Sequence, residues 1–197
     1  MTMLKPILFN TEMVRAILDG RKTQTRRKIP IPNYGYFMHV PTASIRPPYQ
    51  VGDILWVRET WQHVFTLDVS DQPIEGTDRY IYYADNPMPF GYWVDTDTGE
   101  HKDQMPWEPS IHMPKEAARI FLRVTNVRVE QLQDITPDEC LSEGIDKAVQ
   151  DFADAMFAVS WDRTIKKPDL SLYGWKANPW VWVIEFERCE KPEGWCA

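Results

Sequence analysis

The sequence predicts an α+β fold, a small β-barrel with one helix near the N-terminus, a late helical excursion and long loop insertions. Short apolar runs of strand composition are separated by irregular segments, and strand and helix do not alternate as they do in a doubly wound fold. The 16 prolines outnumber the 9 glycines, which indicates many rigid loops. At 197 residues and 43% hydrophobic content the chain can bury one core. We therefore expect a single domain over residues 1–197, with a loop insertion at about 68–114.

The strands are predicted from apolar runs of strand length. The longest run alternates apolar with polar residues around a bulge and places arginines on its solvent side. The last run carries tryptophans on one face and valines on the other. In chain order the predicted strands are Ile7–Phe9, Ile54–Val57, Arg79–Ala84, Ile120–Val129 and Trp180–Phe186.

The helices are predicted from caps and apolar spacing. The first helix begins after the N-cap candidates Asn10 and Thr11 and ends at Gly20. The late helical excursion begins at Thr136, which is followed by a proline suited to the first helical position. A further helix is predicted at Ala148–Arg163.

Charge is distributed unevenly along the chain. The net charge is -7, which argues against a general polyanion binder. Residues 1–50 carry eight Lys or Arg and two acidic residues, a net charge of +6, so the net charge of the remaining residues is -13. A basic end on an acidic body suits a small anionic or polar ligand, or a short stretch of RNA.

Several kinds of site are not expected. Cys140, Cys189 and Cys196 are odd in number and lack CxxC spacing, so neither a disulfide framework nor a zinc site is indicated, and we expect no metal and no cofactor. The sequence contains no GxGxxG motif and no Walker loop. It has no run of about 18 apolar residues, and its first residues show neither a long apolar region nor a small-residue cleavage site, so we expect a cytoplasmic protein without a membrane partner.

The segment Gly20–Arg27, GRKTQTRR, concentrates polar chemistry where the first helix ends. It holds one amine, two threonine hydroxyls and three guanidiniums in an otherwise acidic chain. Such a cluster can hold an anionic or polar ligand. It can equally satisfy the last carbonyls of the helix, for about 0.3–1 kcal/mol per cation, without any function.

The order of these motifs resembles the ASCH domain family, a branch of the PUA-like barrels. The resemblance rests on GRKTQTRR after the first helix, VGD before an apolar strand, LQDIT and EG in the late helical segment, and VWVIEF in the last strand. The long form with WEPSIHMP and NPWVWVIEF is similar to ASCH proteins of phages and prophages. The resemblance implies a PUA-like barrel.

The GRKT-x-T element is similar to that of the bacterial N(4)-acetylcytidine amidohydrolases. This resemblance implies that Lys22, Thr25 and Glu143 are catalytic. Amide hydrolysis without a metal needs a nucleophile, a base and an oxyanion partner. A threonine hydroxyl can be the nucleophile if a lysine of depressed pKa removes its proton, and Glu143 would orient Lys22 or accept a proton from the substrate's exocyclic nitrogen. Lys22 and Thr25 converge only if the segment between them is turned or bulged.

Four more residues are expected to bind the substrate or nucleic acid: Arg21, Arg26, Arg27 and Trp61. The resemblance assigns the family's arginine role to Arg27 and leaves Arg26 as an extra charge. The arginines are also expected to help depress the pKa of Lys22. Trp61 follows a predicted strand and could stack on a nucleobase, although a tryptophan is more often part of a core.

The leading hypothesis is an ASCH-domain protein that binds a modified pyrimidine nucleoside or a short RNA in a barrel cleft. It would hydrolyse N(4)-acylated cytidine through a Lys-Thr-Glu triad. The first alternative is a non-catalytic module that binds RNA or a modified nucleic acid. A ribonuclease is the second alternative, since basic clusters with a carboxylate can support phosphodiester cleavage.

Overall fold

The computed structural model describes residues 3–30, 46–85, 93–95, 98–102 and 106–195. The chain divides into two compact units. Unit 1 consists of Met1–Lys5, Ala16–Leu55 and Phe121–Glu190, and unit 2 of Pro6–Arg15, Trp56–Ile120 and Lys191–Ala197. The single domain stays a prediction. The proline and aromatic residues at 30–48 predict an irregular loop, and most of this segment lies outside the described residues.

The described strands and helices follow the predicted order, with several additions. The strands are β1 Leu4–Leu8, β2 Gln24–Lys28, β3 Ile54–Arg58, β4 Trp61–Val64, β5 Arg79–Tyr82, β6 Trp93–Val94, β7 His101–Lys102, β8 Phe121–Gln131 and β9 Trp180–Cys189. The α-helices are α1 Thr11–Leu18, α2 Pro137–Ser142, α3 Ala153–Thr164 and α4 Leu170–Tyr173. Short 3₁₀ helices lie at Tyr83–Asp85, Ser110–His112, Lys115–Ala117, Leu132–Asp134, Lys147–Phe152, Lys167–Asp169 and Trp175–Ala177.

The main sheet has five strands in the order β1-β3-β8-β9-β2. β8 and β9 pair antiparallel, and their register shifts between Val124 and Asn126, where the sequence predicted a bulge. β2 pairs antiparallel with the other edge of β9. This mixture of one sheet with early and late helices confirms the predicted α+β class. Among the described residues, β1 and β2 are the two edge strands of this sheet. Closure of the sheet into a barrel stays a prediction.

Local capping explains where the first two helices begin and end. The Asn10 side-chain oxygen accepts a hydrogen bond from the Met13 amide at 2.9 Å, and Gly20 has a φ of 75° after α1. Thr136 caps α2 and forms a reciprocal capping box with Glu139. Both predicted helix starts are therefore confirmed.

The predicted helix at Ala148–Arg163 is only partly an α-helix. Its first residues belong to the 3₁₀ helix Lys147–Phe152, in which Val149 has the non-helical angles φ -116° and ψ 25°. The α-helix α3 begins at Ala153. The structure therefore divides the predicted helix into a 3₁₀ segment and an α-helix.

The core of unit 1 lies between α3 and the sheet. α3 contributes Ala153, Phe157 and Trp161, which pack with Val181 and Val183 of β9. The other members of this core cluster are Leu132, Ile135 and Cys140, with Ile145, Ile165 and Trp175 packed against it. The late helices therefore cover the face of β9 that carries the two valines.

Unit 2 contains most of the predicted insertion. The predicted strand Arg79–Ala84 is confirmed over Arg79–Tyr82, where β5 pairs antiparallel with β4, whereas its last two residues belong to the 3₁₀ helix Tyr83–Asp85. The two-residue strands β6 and β7 also pair antiparallel, and they are too short to leave a period in the sequence. Throughout the described ranges, no helix has both the length and the apolar character required to cross a membrane.

Candidate functional site

Strand register assembles a polar face beneath α2 and α3. Arg26 of β2 pairs with Val183 of β9, and Val183 pairs on its other side with Arg128 of β8. Directly paired residues lie on the same face of a sheet. Because Val183 belongs to the core under α3, both arginines lie on the face that the late helices cover.

Lys22 and Glu143 form a buried ion pair on this side of unit 1. Lys22 Nζ donates to Glu143 Oε2 at 2.9 Å, to the Glu143 backbone oxygen at 2.8 Å and to the Gln24 backbone oxygen at 2.8 Å. Both side chains are at least 95% buried. The predicted approach of Lys22 to Glu143 is therefore present in the structure.

Gly144 lets the end of α2 approach Lys22 closely. Its φ is 102°, in the region that favours glycine. A Cβ at this position would lie 3.0 Å from the Ala16 Cβ and 3.3 Å from the Lys22 Cβ. A side chain there would strain the turn and displace the chain around Lys22.

Arg26 holds the second oxygen of Glu143. Its Nη1 donates to Glu143 Oε1 at 3.1 Å, and its Nη2 donates to Glu130 Oε2 at 3.1 Å and lies 3.2 Å from Glu139 Oε2. The Arg26 side chain is fully buried. Although the sequence suggested that Arg26 was an extra charge, it is the arginine that contacts the predicted catalytic glutamate.

A second arginine extends this ion network along the sheet. Arg128, which the sequence placed on the solvent side of its strand, donates to Glu130, Glu139 and Glu185. Glu139 thereby links Arg128 with Arg26. Three of these glutamates were not candidates in the sequence, because their convergence depends on strand register and on the position of α2.

Burial lowers the pKa of Lys22 below its ordinary value of 10.5. Glu143 opposes this shift through its charge and its hydrogen bond, while the charges of Arg27 and Arg26 add to it. The predicted contribution of neighbouring arginines is therefore confirmed for these two residues, with burial as the larger cause. A lysine in this state releases a proton more readily than a solvated one.

Thr25 and Arg27 lie on the opposite face of β2 from Arg26, because successive side chains of a strand alternate. Thr25 is buried, and its Oγ1 accepts a hydrogen bond from Arg27 Nη1 at 3.2 Å. Burial lowers the pKa of Arg27, against the opposing effects of Tyr49 and Glu143. Arg27 thus acts electrostatically on Lys22 and bonds directly to Thr25. Direct contact of Thr25 with Lys22 or Glu143 stays a prediction.

The other two predicted binding residues do not take part in the buried ion network described above. Arg21 is exposed, donating to the Gly144 backbone oxygen at 3.0 Å and to Asp19 Oδ2 at 3.1 Å. Trp61 belongs to unit 2, where it pairs with Tyr82 across β4 and β5 and its ring lies 5.7 Å from that of Tyr80. The binding role of each stays a prediction.

The acidic residues of the network bind cations of the protein itself. Within the part of the chain that the structure describes, no group of three or more His, Cys, Asp or Glu residues is arranged to hold a metal ion. The glutamates around Arg26 and Arg128 instead bind guanidinium groups.

No protein-family model and no curated protein matches this chain. Two solved structures are similar over most of its length. Protein EF3133 from Enterococcus faecalis V583, of the family DUF984, matches with a TM-score of 0.44 and 14% sequence identity. The match covers 95% of this chain and 81% of the EF3133 chain. The ASCH domain from Lactobacillus crispatus JV V101 matches with a TM-score of 0.39 and 13% sequence identity. That match covers 94% of this chain and 79% of the ASCH-domain chain. Both TM-scores lie below 0.5, and the α+β class rests on the chain's own strands and helices.

Proposed function

We propose that this chain is an ASCH-type amidohydrolase that binds a modified pyrimidine nucleoside and removes an N(4)-acyl group from cytidine. The observation that carries the proposal is the buried Lys22–Glu143 pair, joined at 2.9 Å. A buried ion pair is costly to form, and replacing it with apolar residues is often neutral or stabilising. A perturbed lysine pKa next to a specific carboxylate is a recurring property of functional sites.

Lys22 and Glu143 can exchange a proton within their own hydrogen bond. Transfer from Nζ to Oε2 leaves a neutral amine and a protonated carboxyl group. Burial favours the neutral amine of Lys22, since a charge is costly in a site with little water. The neutral amine is then the base, and the carboxyl group holds the proton that the leaving group needs.

The nucleophile is the hydroxyl of Thr25. The Arg27 guanidinium donates to its oxygen at 3.2 Å, which stabilises negative charge on that oxygen as the proton leaves. In the proposed reaction the Thr25 proton passes to Lys22 while Oγ1 bonds to the acyl carbon. The C–N(4) bond then breaks as Glu143 protonates the exocyclic nitrogen. Water hydrolyses the threonine ester, which releases the carboxylic acid and restores the hydroxyl group.

A second candidate function is a module that binds a modified nucleoside or RNA without chemistry. One observation favours it: the protein already holds both side chains of the pair. Lys22 Nζ donates three hydrogen bonds, and each carboxylate oxygen of Glu143 has an ion pair. Such an arrangement can hold α2 against β2 as a fixed support. It requires no movement of the lysine proton.

The test is turnover of N(4)-acylated cytosines, cytidines and deoxycytidines by the wild type and by Lys22→Ala, Thr25→Ala and Glu143→Ala. Chromatography of the released base or nucleoside gives the rate. We expect turnover by the wild type and a loss of about 10²-fold or more in each variant. No turnover of any of these compounds by the folded wild type, with RNA retained in a shift assay, contradicts the enzyme and supports the binding module.

The chain offers matched controls close to the site. Thr23→Ala removes an exposed hydroxyl two residues before Thr25. Lys28→Ala removes a partly exposed lysine of β2 that lies 3.6 Å from Asp169. Both controls are expected to keep wild-type turnover. Equal losses in Thr23→Ala and Thr25→Ala would mean that the hydroxyl of Thr25 is not the nucleophile.

A further inference from the structure

Helix α3 exposes an apolar stripe on the side away from its core contacts. Phe152, Met156 and Val159 are 67%, 46% and 51% exposed. Their spacing of four and three residues places them on one face of a helix, in line with the exposed Arg163. Phe152 is the residue immediately before the first turn of α3.

The opposite side of α3 is already occupied. Ala153, Phe157 and Trp161 pack into the core of unit 1. The exposed stripe lies outside this core, and a group of apolar side chains on a surface is a candidate site for contact with another molecule.

The stripe is complementary to itself in an antiparallel arrangement. A two-fold axis that runs beside the exposed face of α3, level with the midpoint between positions 157 and 158, places Met156 opposite Val159 of a second copy. The same axis places Phe152 opposite Arg163 of the second copy. A guanidinium over an aromatic ring is favourable, and Asp151, beside Phe152, is exposed and opposite in charge.

We infer that two copies of this chain associate through α3 in an antiparallel, two-fold symmetric contact, with Phe152, Met156, Val159 and Arg163 at its centre. The contact goes beyond the proposed function and uses none of its residues. α3 has 12 residues and is about 18 Å long. One face of such a helix buries less than the roughly 800 Å² per partner of a standard interface. The dimer is therefore weak and forms with increasing concentration.

Light scattering or sedimentation equilibrium of the full chain over a wide concentration range tests this inference. The mass is expected to rise from 23.1 kDa toward twice that value. Val159→Asp is expected to weaken association at least tenfold. The matched control is Val69→Asp, the same substitution at a valine of unit 2 that is 105% exposed, and it is expected to associate like the wild type.

A charge exchange tests the antiparallel direction. Arg163→Asp brings two acids together in the dimer and is expected to weaken it, whereas adding Asp151→Arg restores opposite charges and is expected to recover most of the association. Circular dichroism verifies that each variant is folded. A mass of 23.1 kDa at all concentrations overturns the inference, as does association of Val159→Asp equal to that of the wild type. Failure of the second substitution to rescue the first overturns the antiparallel arrangement.

Discussion

Each unit of this protein buries a glutamate beside a cation, but the two pairs are built differently. In unit 2, Glu59 accepts hydrogen bonds from one arginine, with Arg119 Nε and Nη2 both 2.9 Å from its oxygens. In unit 1, Glu143 divides its oxygens between Lys22 and Arg26. Both glutamates are buried. Burial alone therefore does not distinguish them.

The difference lies in whether the cation can release its proton. Burial alone would lower the pKa of Arg119, but its bonds to Glu59 and Asp85 raise that pKa overall, and its guanidinium lies 3.8 Å from the Tyr82 ring centroid. Burial lowers the pKa of Lys22 despite Glu143. The cation of the unit 2 pair therefore holds its proton more firmly than usual. The cation of the unit 1 pair holds its proton less firmly, as the proposed reaction requires.

Exchanging the two kinds of cation has the largest expected effect. Lys22→Arg keeps a positive charge near Glu143 but removes the group that can act as a base, so turnover of an N(4)-acylcytidine is expected to fall by about 10²- to 10⁴-fold. Arg119→Lys, the reverse exchange in unit 2, is expected to leave turnover unchanged. Steady-state kinetics of the two variants checks both outcomes. Wild-type turnover by Lys22→Arg would show that this lysine is not a base.

Removing the glutamates is expected to affect stability unequally. Glu59→Ala removes the two hydrogen bonds from Arg119 Nε and Nη2 and leaves Asp85, at 2.7 Å, as the carboxylate partner of a partly exposed arginine, which should cost about 2–4 kcal/mol in the free energy of unfolding. Glu143→Ala should cost less, about 1–3 kcal/mol. Its partner Lys22 retains two backbone acceptors, and Arg26 retains two other glutamates. Urea denaturation compares the two variants, and a larger loss in Glu143→Ala would contradict this account.

Local signals in the sequence predicted much of the fold. The start of α2 was predicted because Thr136 and the proline after it act within one turn of the chain. The bulge in β8 was predicted because its apolar alternation changes phase between Val124 and Val127. The kink at Val149 was missed, since no glycine or proline marks it.

The candidate site was predicted less completely. The pairing of Lys22 with Glu143 came from the resemblance of the motifs, because residues 121 positions apart have no spacing to relate them. The role of Arg26 was missed for a different reason. Its alignment with Arg128 across β9 follows from strand register, and register is set by long-range pairing.

The smallest expected effect is a pH dependence of stability. The folded-state pKa of Lys22 lies below its ordinary value of 10.5. Between these two values the unfolded chain binds more protons, so the contribution of Lys22 to the free energy of unfolding rises with pH, by at most about 1.4 kcal/mol per pH unit. Below the folded-state pKa the contribution is constant. Urea denaturation of the wild type and Lys22→Met should show this relative rise, and a relative fall would contradict it.

The central claim is that Lys22, unlike the arginine of the other pair, has a proton that can be moved. Direct titration of the Lys22 side chain by NMR, with lysine labelled at Cε and the signal assigned by its loss in Lys22→Met, tests this claim. We predict that Lys22 titrates below 10.5, its ordinary value. Titration at or above that value would contradict the claim, because Lys22 would then keep its charge as firmly as a structural arginine.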